Sequence, residues 1–158
     1  MVSVNEAEYR SVAGHFATGV VVVAAMTESG PVGFTCQSFH SLSLEPILVA
    51  FAARVDGVSW PLIRAVGTIS INVLEQRQMA LAERFARSAP DKFEGVAWTP
   101  GPAGAPLLAG ALAQLEAGMV SVSTFGDHDL AVAHVSSAVA HPGSPLLYYR
   151  GEFGSFQR

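Results

Sequence analysis

The stretch from Phe16 to Phe51, FATGVVVVAAMTESGPVGFTCQSFHSLSLEPILVAF, constrains the fold more than any other part of the chain. β-Branched and small apolar residues crowd two runs, Gly19 to Ala25 and Val32 to Thr35, separated by Glu28-Ser29-Gly30-Pro31. Such residues fit a pleated, half-buried surface, and Gly-Pro punctuation ends them, so the pattern predicts strands and hairpins and not helices. A third run, Ile47 to Phe51, follows the bend Thr35-Cys36-Gln37-Ser38-Phe39-His40-Ser41. The bend's small donors and open backbone amides suit a polar, planar ligand at the rim of a barrel. A Ser/Thr-rich turn with no ligand at all is also common. The segment carries neither metal ligands at useful spacing nor a phosphate-cradling Gly loop.

A chain of 158 residues is long enough for one real core and too short for a second domain, so residues 1–158 are expected to form a single domain. Half of the residues are hydrophobic, only 14% are charged, and the mean hydropathy is +0.36. That is apolar for a small domain, and burial in a homodimer interface accounts for it. The longest apolar run, Val20 to Met26, is too short to span a bilayer. No basic leader with an apolar stretch opens the sequence, which predicts a cytoplasmic protein. A net charge of −4 with a single lysine argues against nucleic acid as a partner. One cysteine, Cys36, excludes an internal disulfide and a Cys-based metal cluster; by itself it reads as a small buried hydrophobe. His15, His40, His134 and His141 do not cluster by spacing, so no metal site is expected.

Asn5 to Ala17 places Ala7, Val12, Ala13 and Phe16 near helical spacing, with Asn5 and Glu8 as a capping pair. Ser59 is expected to cap a short helix with Pro61 in its first turn and Gly67 at its end. Thr68 to Leu74 reads as a strand, and Gln76 to Ala86 as a helix with Met79, Ala82, Phe85 and Ala86 on its apolar face. Pro100 to Pro106 reads as a loop. Ala111 to Thr124, Asp129 to Val139 and Leu146 to Tyr149 supply further strands, with Phe125-Gly126-Asp127-His128 as a turn. Six or seven strands with two or three short peripheral helices predict a small closed or partly open barrel.

Taken in order, HFATGVVVV, the T-x-x-S-F bend with S-x-S-L-E-P after it, SWPLIRAVGTISINVL, RFA, DKFEGVAW, GAPLLAGALAQLEA, GDHDLAVAHV and PLLYYRGEFGSF cover nearly the whole chain. From Tyr9 onward the sequence resembles the flavin reductase-like family, small NAD(P)H:flavin oxidoreductases built on a flavin-binding split barrel. The resemblance implies a mainly β, Greek-key split β-barrel and a homodimer. It implies FMN or FAD as the flavin, NADH or NADPH as the hydride donor, and a flavin-dependent monooxygenase that receives the reduced flavin.

The resemblance also implies roles for individual residues. The bend contributes Thr35, Cys36, Gln37, Ser38 and Ser41 to the isoalloxazine edge and ribityl chain; Cys36 and Gln37 depart from the usual Ala and small polar residue. The stretch from Ala53 to Trp60 matches an S-x-[ST]-W segment near the flavin phosphate, with Gly57 in place of the first hydroxyl and Ser59 retaining the second. Arg54, Arg84, Arg87 and Lys92 fall near the phosphate; read alone, each is equally well a solvated surface cation. Gly126-Asp127-His128 places His128 beside the flavin where the nicotinamide arrives, with Asp127 orienting its ring or closing the turn. Without the resemblance, His128 reads as an ordinary turn residue. Tyr149 and Arg150 are secondary candidates near the flavin or the dimer seam.

Both reactive centres of flavin reduction belong to cofactors, so no nucleophile–base pair is expected in the chain. Two other readings stay open: a barrel that binds flavin without NAD(P)H turnover, and a structural dimer that has lost its ligand.

Overall fold

The computed structural model describes residues 3–157. In chain order the elements are α1 (Glu6–Ala13), β1 (Thr18–Gly19), β2 (Val21–Thr27), β3 (Gly30–Cys36), β4 (His40–Leu44), β5 (Ile47–Arg54) and α2 (Trp60–Val66). They continue with β6 (Thr68–Val73), α3 (Met79–Phe85), β7 (Trp98–Pro100), β8 (Pro106–Leu108), β9 (Ala113–Phe125), β10 (His128–Ala140), β11 (Leu146–Tyr149) and β12 (Glu152–Ser155).

Strand β2 explains the density of the opening apolar run. Val20 to Ala25 are all buried. Successive side chains of a strand point to opposite faces. Val21, Val23 and Ala25 accordingly join one core with Phe51, Ile69, Ile71, Ala131 and Ala133, whereas Val20 and Val22 join a second with Leu74, Ala82, Phe85 and Leu108. A strand covered on both faces reads as a continuous hydrophobic run instead of an alternation. Each fully buried Val contributes roughly 1.5–3 kcal/mol.

The main sheet has seven strands in the order β3-β2-β6-β9-β10-β5-β4, every neighbouring pair antiparallel. Its ladder stays open between β3 and β4, so the mainly β split barrel implied by the sequence is what forms. The hairpin of β9 and β10 sets the curl. β9 pairs with β6 only from Ala113 to Gly118, and β10 pairs with β5 only from His128 to His134. Register shifts at Val132/Ala133 and Val135/Ser137 lie where partners change. Bulges bend a strand and raise its twist, which turns the sheet there. The hairpin closes through Gly126, whose φ of +61° meets the left-handed requirement of a tight turn.

Several local expectations are corrected. Asn5 and Glu8 do form a reciprocal capping box, but α1 buries none of its residues, and Val12 and Phe16 are 73% and 81% exposed. Ser59 stands at the cap position of α2, yet its hydroxyl makes no capping bond; Gly67 closes the helix as expected, with φ +79°. α3 is shorter than predicted and buries Ala82 and Phe85, while Met79 and Ala86 are exposed. Part of the predicted bend is strand β4. Pro100 and Pro106, the ends of the predicted loop, pair with each other across β7 and β8, and β12 extends a small sheet with β1 and β11. No helix among the described residues is long and apolar enough to cross a membrane.

Candidate active site

A cavity of about 340 Å3 opens where the ends of β3 and β5, the first residue of β10 and the entry to α2 meet. It is walled by residues 34–38, 52–54 and 57–60, with Arg87, Ser88, Lys92 and His128. Nine residues singled out from the sequence therefore converge: Thr35, Cys36, Gln37, Ser38, Arg54, Ser59, Arg87, Lys92 and His128. Asp127 joins them through His128. Three others stand apart. Ser41 is exposed on β4 opposite Val49, and Tyr149 ends β11 with its ring edge-on to His15. Arg84 donates to the Glu94 carbonyl and lies outside the cavity.

The bend works differently from the way its hydroxyls suggest. Thr35 Oγ1 donates to the Ala82 carbonyl at 2.6 Å, tying β3 to α3. Ser38 Oγ accepts from the Ala52 amide at 2.7 Å and donates to the Ala52 carbonyl at 3.1 Å, tying the bend to β5. These hydroxyls are occupied by the protein. Their contribution is to fix the backbone between them, where the Gln37 amide makes no backbone hydrogen bond among the described residues. Cys36 is buried with its Sγ 3.2 Å from Ser38 Oγ, and burial pushes its thiol pKa up. It behaves as a small hydrophobe.

The cations are not equivalent. Lys92 is only 7% exposed, and its Nζ donates to the carbonyls of Gly33 (2.9 Å) and Phe85 (3.2 Å). Gly33 is itself closely packed: a Cβ there would sit 3.1 Å from the Val23 carbonyl oxygen and 3.2 Å from the Phe85 ring. Both acceptors are neutral, no carboxylate among the described residues pairs with the ammonium, and burial pulls its pKa down. The ammonium has three N–H donors and two neutral acceptors, which leaves one donor for a further partner. Arg54, by contrast, makes a bidentate pair with Asp56, both bonds 2.9 Å, on the exposed rim. Arg87 has no carboxylate partner among the described residues.

His128 opens β10 directly across from Arg54 of β5. Its Nδ1 lies 2.8 Å from Asp127 Oδ1, and this hydrogen bond, followed by the imidazole's charge, holds the Asp127 carboxyl below its usual range. The His128 side chain is 43% exposed, open to an incoming ligand.

Two further residues support the cavity, Trp60 of the S-x-[ST]-W segment and Asp129, which no motif marks. Trp60 forms a wall, held edge-to-face against Phe51 and Phe34. Asp129 is buried behind it and accepts from Trp60 Nε1. The strand period carried a signal: Asp129, Ala131 and Ala133 share the inward face of β10. A buried indole N–H also needs an acceptor. Among the described residues no cluster of three or more His, Cys, Asp or Glu side chains forms a metal site.

The sequence pattern described as the flavin reductase like domain matches residues 13–157. The chain is 41% identical over 152 residues to the reductase subunit HsaB of a flavin-dependent monooxygenase from Rhodococcus jostii, covering 96% of this chain and 78% of that one. It is 35% identical over 154 residues to the NADH-dependent FMN reductase SmoA of Agrobacterium fabrum, covering 98% and 88%. Among solved structures, the NADH:FAD oxidoreductase SgcE6 of Streptomyces globisporus superposes with a TM-score of 0.93 at 36% identity, covering 100% of this chain and 98% of that one.

Proposed function

Because the chain belongs to the flavin reductase-like family, we propose that the cavity at the open seam binds FMN or FAD beside NADH or NADPH, with His128 at the point of hydride transfer. The protein is an NAD(P)H:flavin oxidoreductase that supplies reduced flavin to a partner monooxygenase. When bound, the flavin supplies the electron-accepting ring. The chain's own task is to bind, orient and exclude.

The observation that carries this reading is the buried Lys92 at one side of a cavity whose other walls are the bend, Trp60 and His128. The donor set fits a flavin. Lys92 and Arg87 would hold the phosphate, the Gln37 amide would meet a ring carbonyl, and Trp60 with Phe34 supplies apolar surface for a flat ring. Ser59 lies buried at the same end as Lys92 and adds a hydroxyl there. Arg54 acts at the rim, its charge shared with Asp56. Asp127 holds the His128 ring through Nδ1, leaving Nε2 without a hydrogen-bond partner among the described residues. Ser41 and Tyr149 keep only a secondary place in this reading.

The functional unit we propose is a cytoplasmic homodimer. A monomer of 16.5 kDa is expected to expose about 7,600 Å2. This chain exposes 9360 Å2, and the excess is of the size that an obligate dimer buries per subunit. Tyr9, Val12 and Phe16 at the N-terminal helix, with Leu42, Leu44 and Ile47 on the edge hairpin, are large exposed apolar groups. Thr18 Oγ1, in the same region as Phe16, is buried without a hydrogen-bond partner. Light scattering at micromolar concentration tests the dimer; a mass of one chain overturns it.

A spectrophotometric assay with NADH or NADPH, supplying FMN, FAD and riboflavin in turn, tests the activity. Flavin-dependent loss of absorbance at the nicotinamide band is the expected result. Tight flavin binding without that loss would leave the binding-only reading in its place.

A further inference from the structure

A second cavity, of about 560 Å3, lies beside the first, between the β2–β3 turn, the outer side of α2 and the segment preceding β7. The two share Val58, Ser59 and Lys92 as common wall. We propose that this second cavity is a subsite for the adenosine end of FAD, so that the flavin cavity, Lys92 and the subsite together select a dinucleotide over FMN; the inference rests on the flavin reading above.

Three observations carry it. First, the order of features matches the ligand. FAD has a ring system at each end and a pyrophosphate between them, and here two cavities meet at a buried ammonium. FMN ends at its phosphate and leaves the second cavity without an occupant. Lys92 lacks a carboxylate partner and its burial disfavours its own charge, so a pyrophosphate at the junction compensates both.

Second, the second cavity presents apolar surface to water. Val58, Leu62 and Val66 line it and are 50%, 48% and 38% exposed. A purine is flat and largely apolar on its faces, and covering these side chains removes that surface from solvent. Third, charge limits the choice of occupant. Lys92 is the only basic side chain of the lining, and Glu28 and Ser29 stand on the β2–β3 turn. Acceptors on that turn suit the hydroxyls of a ribose and the amino group of adenine, and they disfavour a further anion such as a 2′-phosphate. NADH carries the same adenosine diphosphate chemistry, so the test must separate the two sources.

Ala65 lines the second cavity from the exposed side of α2 and is absent from the flavin cavity. Filling the space with Ala65→Trp therefore tests the subsite. Flavin-free protein would be titrated with riboflavin, FMN and FAD, with no nicotinamide present, following flavin fluorescence. The expected result is that the native protein binds FAD at least about tenfold more tightly than FMN, and that Ala65→Trp abolishes this preference by weakening FAD alone. Equal affinity of the native protein for FMN and FAD overturns the proposal, as does an equal loss of both in the variant. A KM for NADH that rises in FMN-supported turnover, with FAD affinity unchanged, also overturns it and gives the cavity to the nicotinamide dinucleotide. Failure of all three flavins to bind would instead refute the flavin reading itself.

Discussion

Trp60 Nε1 donates to Asp129 Oδ2 at 2.8 Å, a bond between residues 69 positions apart that locks α2 against β10. Asp129 is 3% exposed, and its other oxygen accepts from Thr124 Oγ1 at 2.6 Å while Arg64 approaches at 3.2 Å. One carboxylate therefore joins two strands of the sheet to the helix that walls the cavity proposed for the flavin. It does not line the cavity and acts by holding Trp60.

The hydrogen bonds from Thr124 and Trp60, with Arg64 nearby, hold the Asp129 carboxyl below its ordinary value of 3.8. The folded-state value is lower than the unfolded one, so ionised Asp129 stabilises the fold fully above the ordinary carboxylate range. That stabilisation is lost as pH falls through the lower folded-state value. Asp129→Asn is expected to melt several degrees lower at neutral pH and to lose less additional stability than the native protein between about pH 5 and pH 3. Thermal melts across this range check the slope. Asn keeps one acceptor oxygen for the two donors, Trp60 and Thr124, and a red-shifted Trp emission would show that the indole is the one left without it; an unchanged acid limb refutes the role.

Lys92 and Arg54 should separate on mutation. Replacing Lys92 with Met removes the one buried cation of the site, and a charge-assisted hydrogen bond contributes about 1.5–3 kcal/mol, so FMN and FAD affinity should fall at least about tenfold. Riboflavin has no phosphate and should be spared. Arg54→Ala should cost only about threefold or less, because its guanidinium already shares its charge with Asp56 on an exposed rim. Titrations with the three flavins measure all of this. If Lys92→Met weakens riboflavin equally, the ammonium serves the packing of Gly33 and Phe85 and not the ligand.

The parts of this molecule that could be read from its sequence are those governed by neighbours along the chain. The capping box of Asn5 and Glu8, the closure of α2 at Gly67 and the turn at Gly126 each depend on residues within a few positions. The long runs of β2, β9 and β10 are strands on pattern alone. β4, β7, β8 and β12 were not legible: each has three to five residues and takes its hydrogen bonds from a partner. The same limit shaped the site. The T-x-x-S bend lines the cavity, yet its two hydroxyls bond to Ala82 and Ala52, residues 47 and 14 positions away. The support that Asp129 gives is hidden in the sequence for the same reason, since its partner Trp60 lies 69 positions away.

Glu116 illustrates how such distant ties make stability testable. It is fully buried and accepts from the amides of Ala103 and Ala105 and from Ser137 Oγ at 3.0–3.1 Å, fastening the turn between β7 and β8 to β9. A Cβ on Gly101 would meet the carboxyl carbon of Glu116 at 2.4 Å. Glu116→Ala strands several buried donors, each costing about 1–3 kcal/mol. Gly101→Ala should displace the carboxylate and cost on the order of 1–3 kcal/mol. Urea melts measure both, and the double variant should cost less than the sum because the two residues share one contact. Strict additivity would show that the turn is held elsewhere.

His128 carries the sharpest prediction. It begins β10, its Nδ1 is engaged by Asp127, and its side chain is open to the cavity mouth. Hydride transfer requires the nicotinamide and flavin rings to approach within roughly 3–3.5 Å, so a residue that shapes their stack acts on the rate more than on prior flavin binding. His128→Ala is expected to keep flavin affinity within about twofold of native, while the rate of flavin reduction by NADH in stopped-flow falls at least about tenfold, or roughly 1.4 kcal/mol. Asp127→Asn leaves the imidazole in place but alters the partner that orients it, so its effect should be smaller, about threefold. A turn residue without a place in the reaction would give the reverse pattern: a lower melting temperature for His128→Ala and flavin reduction at the native rate. That outcome would move the site's centre to Lys92 and the Thr35–Ser38 bend.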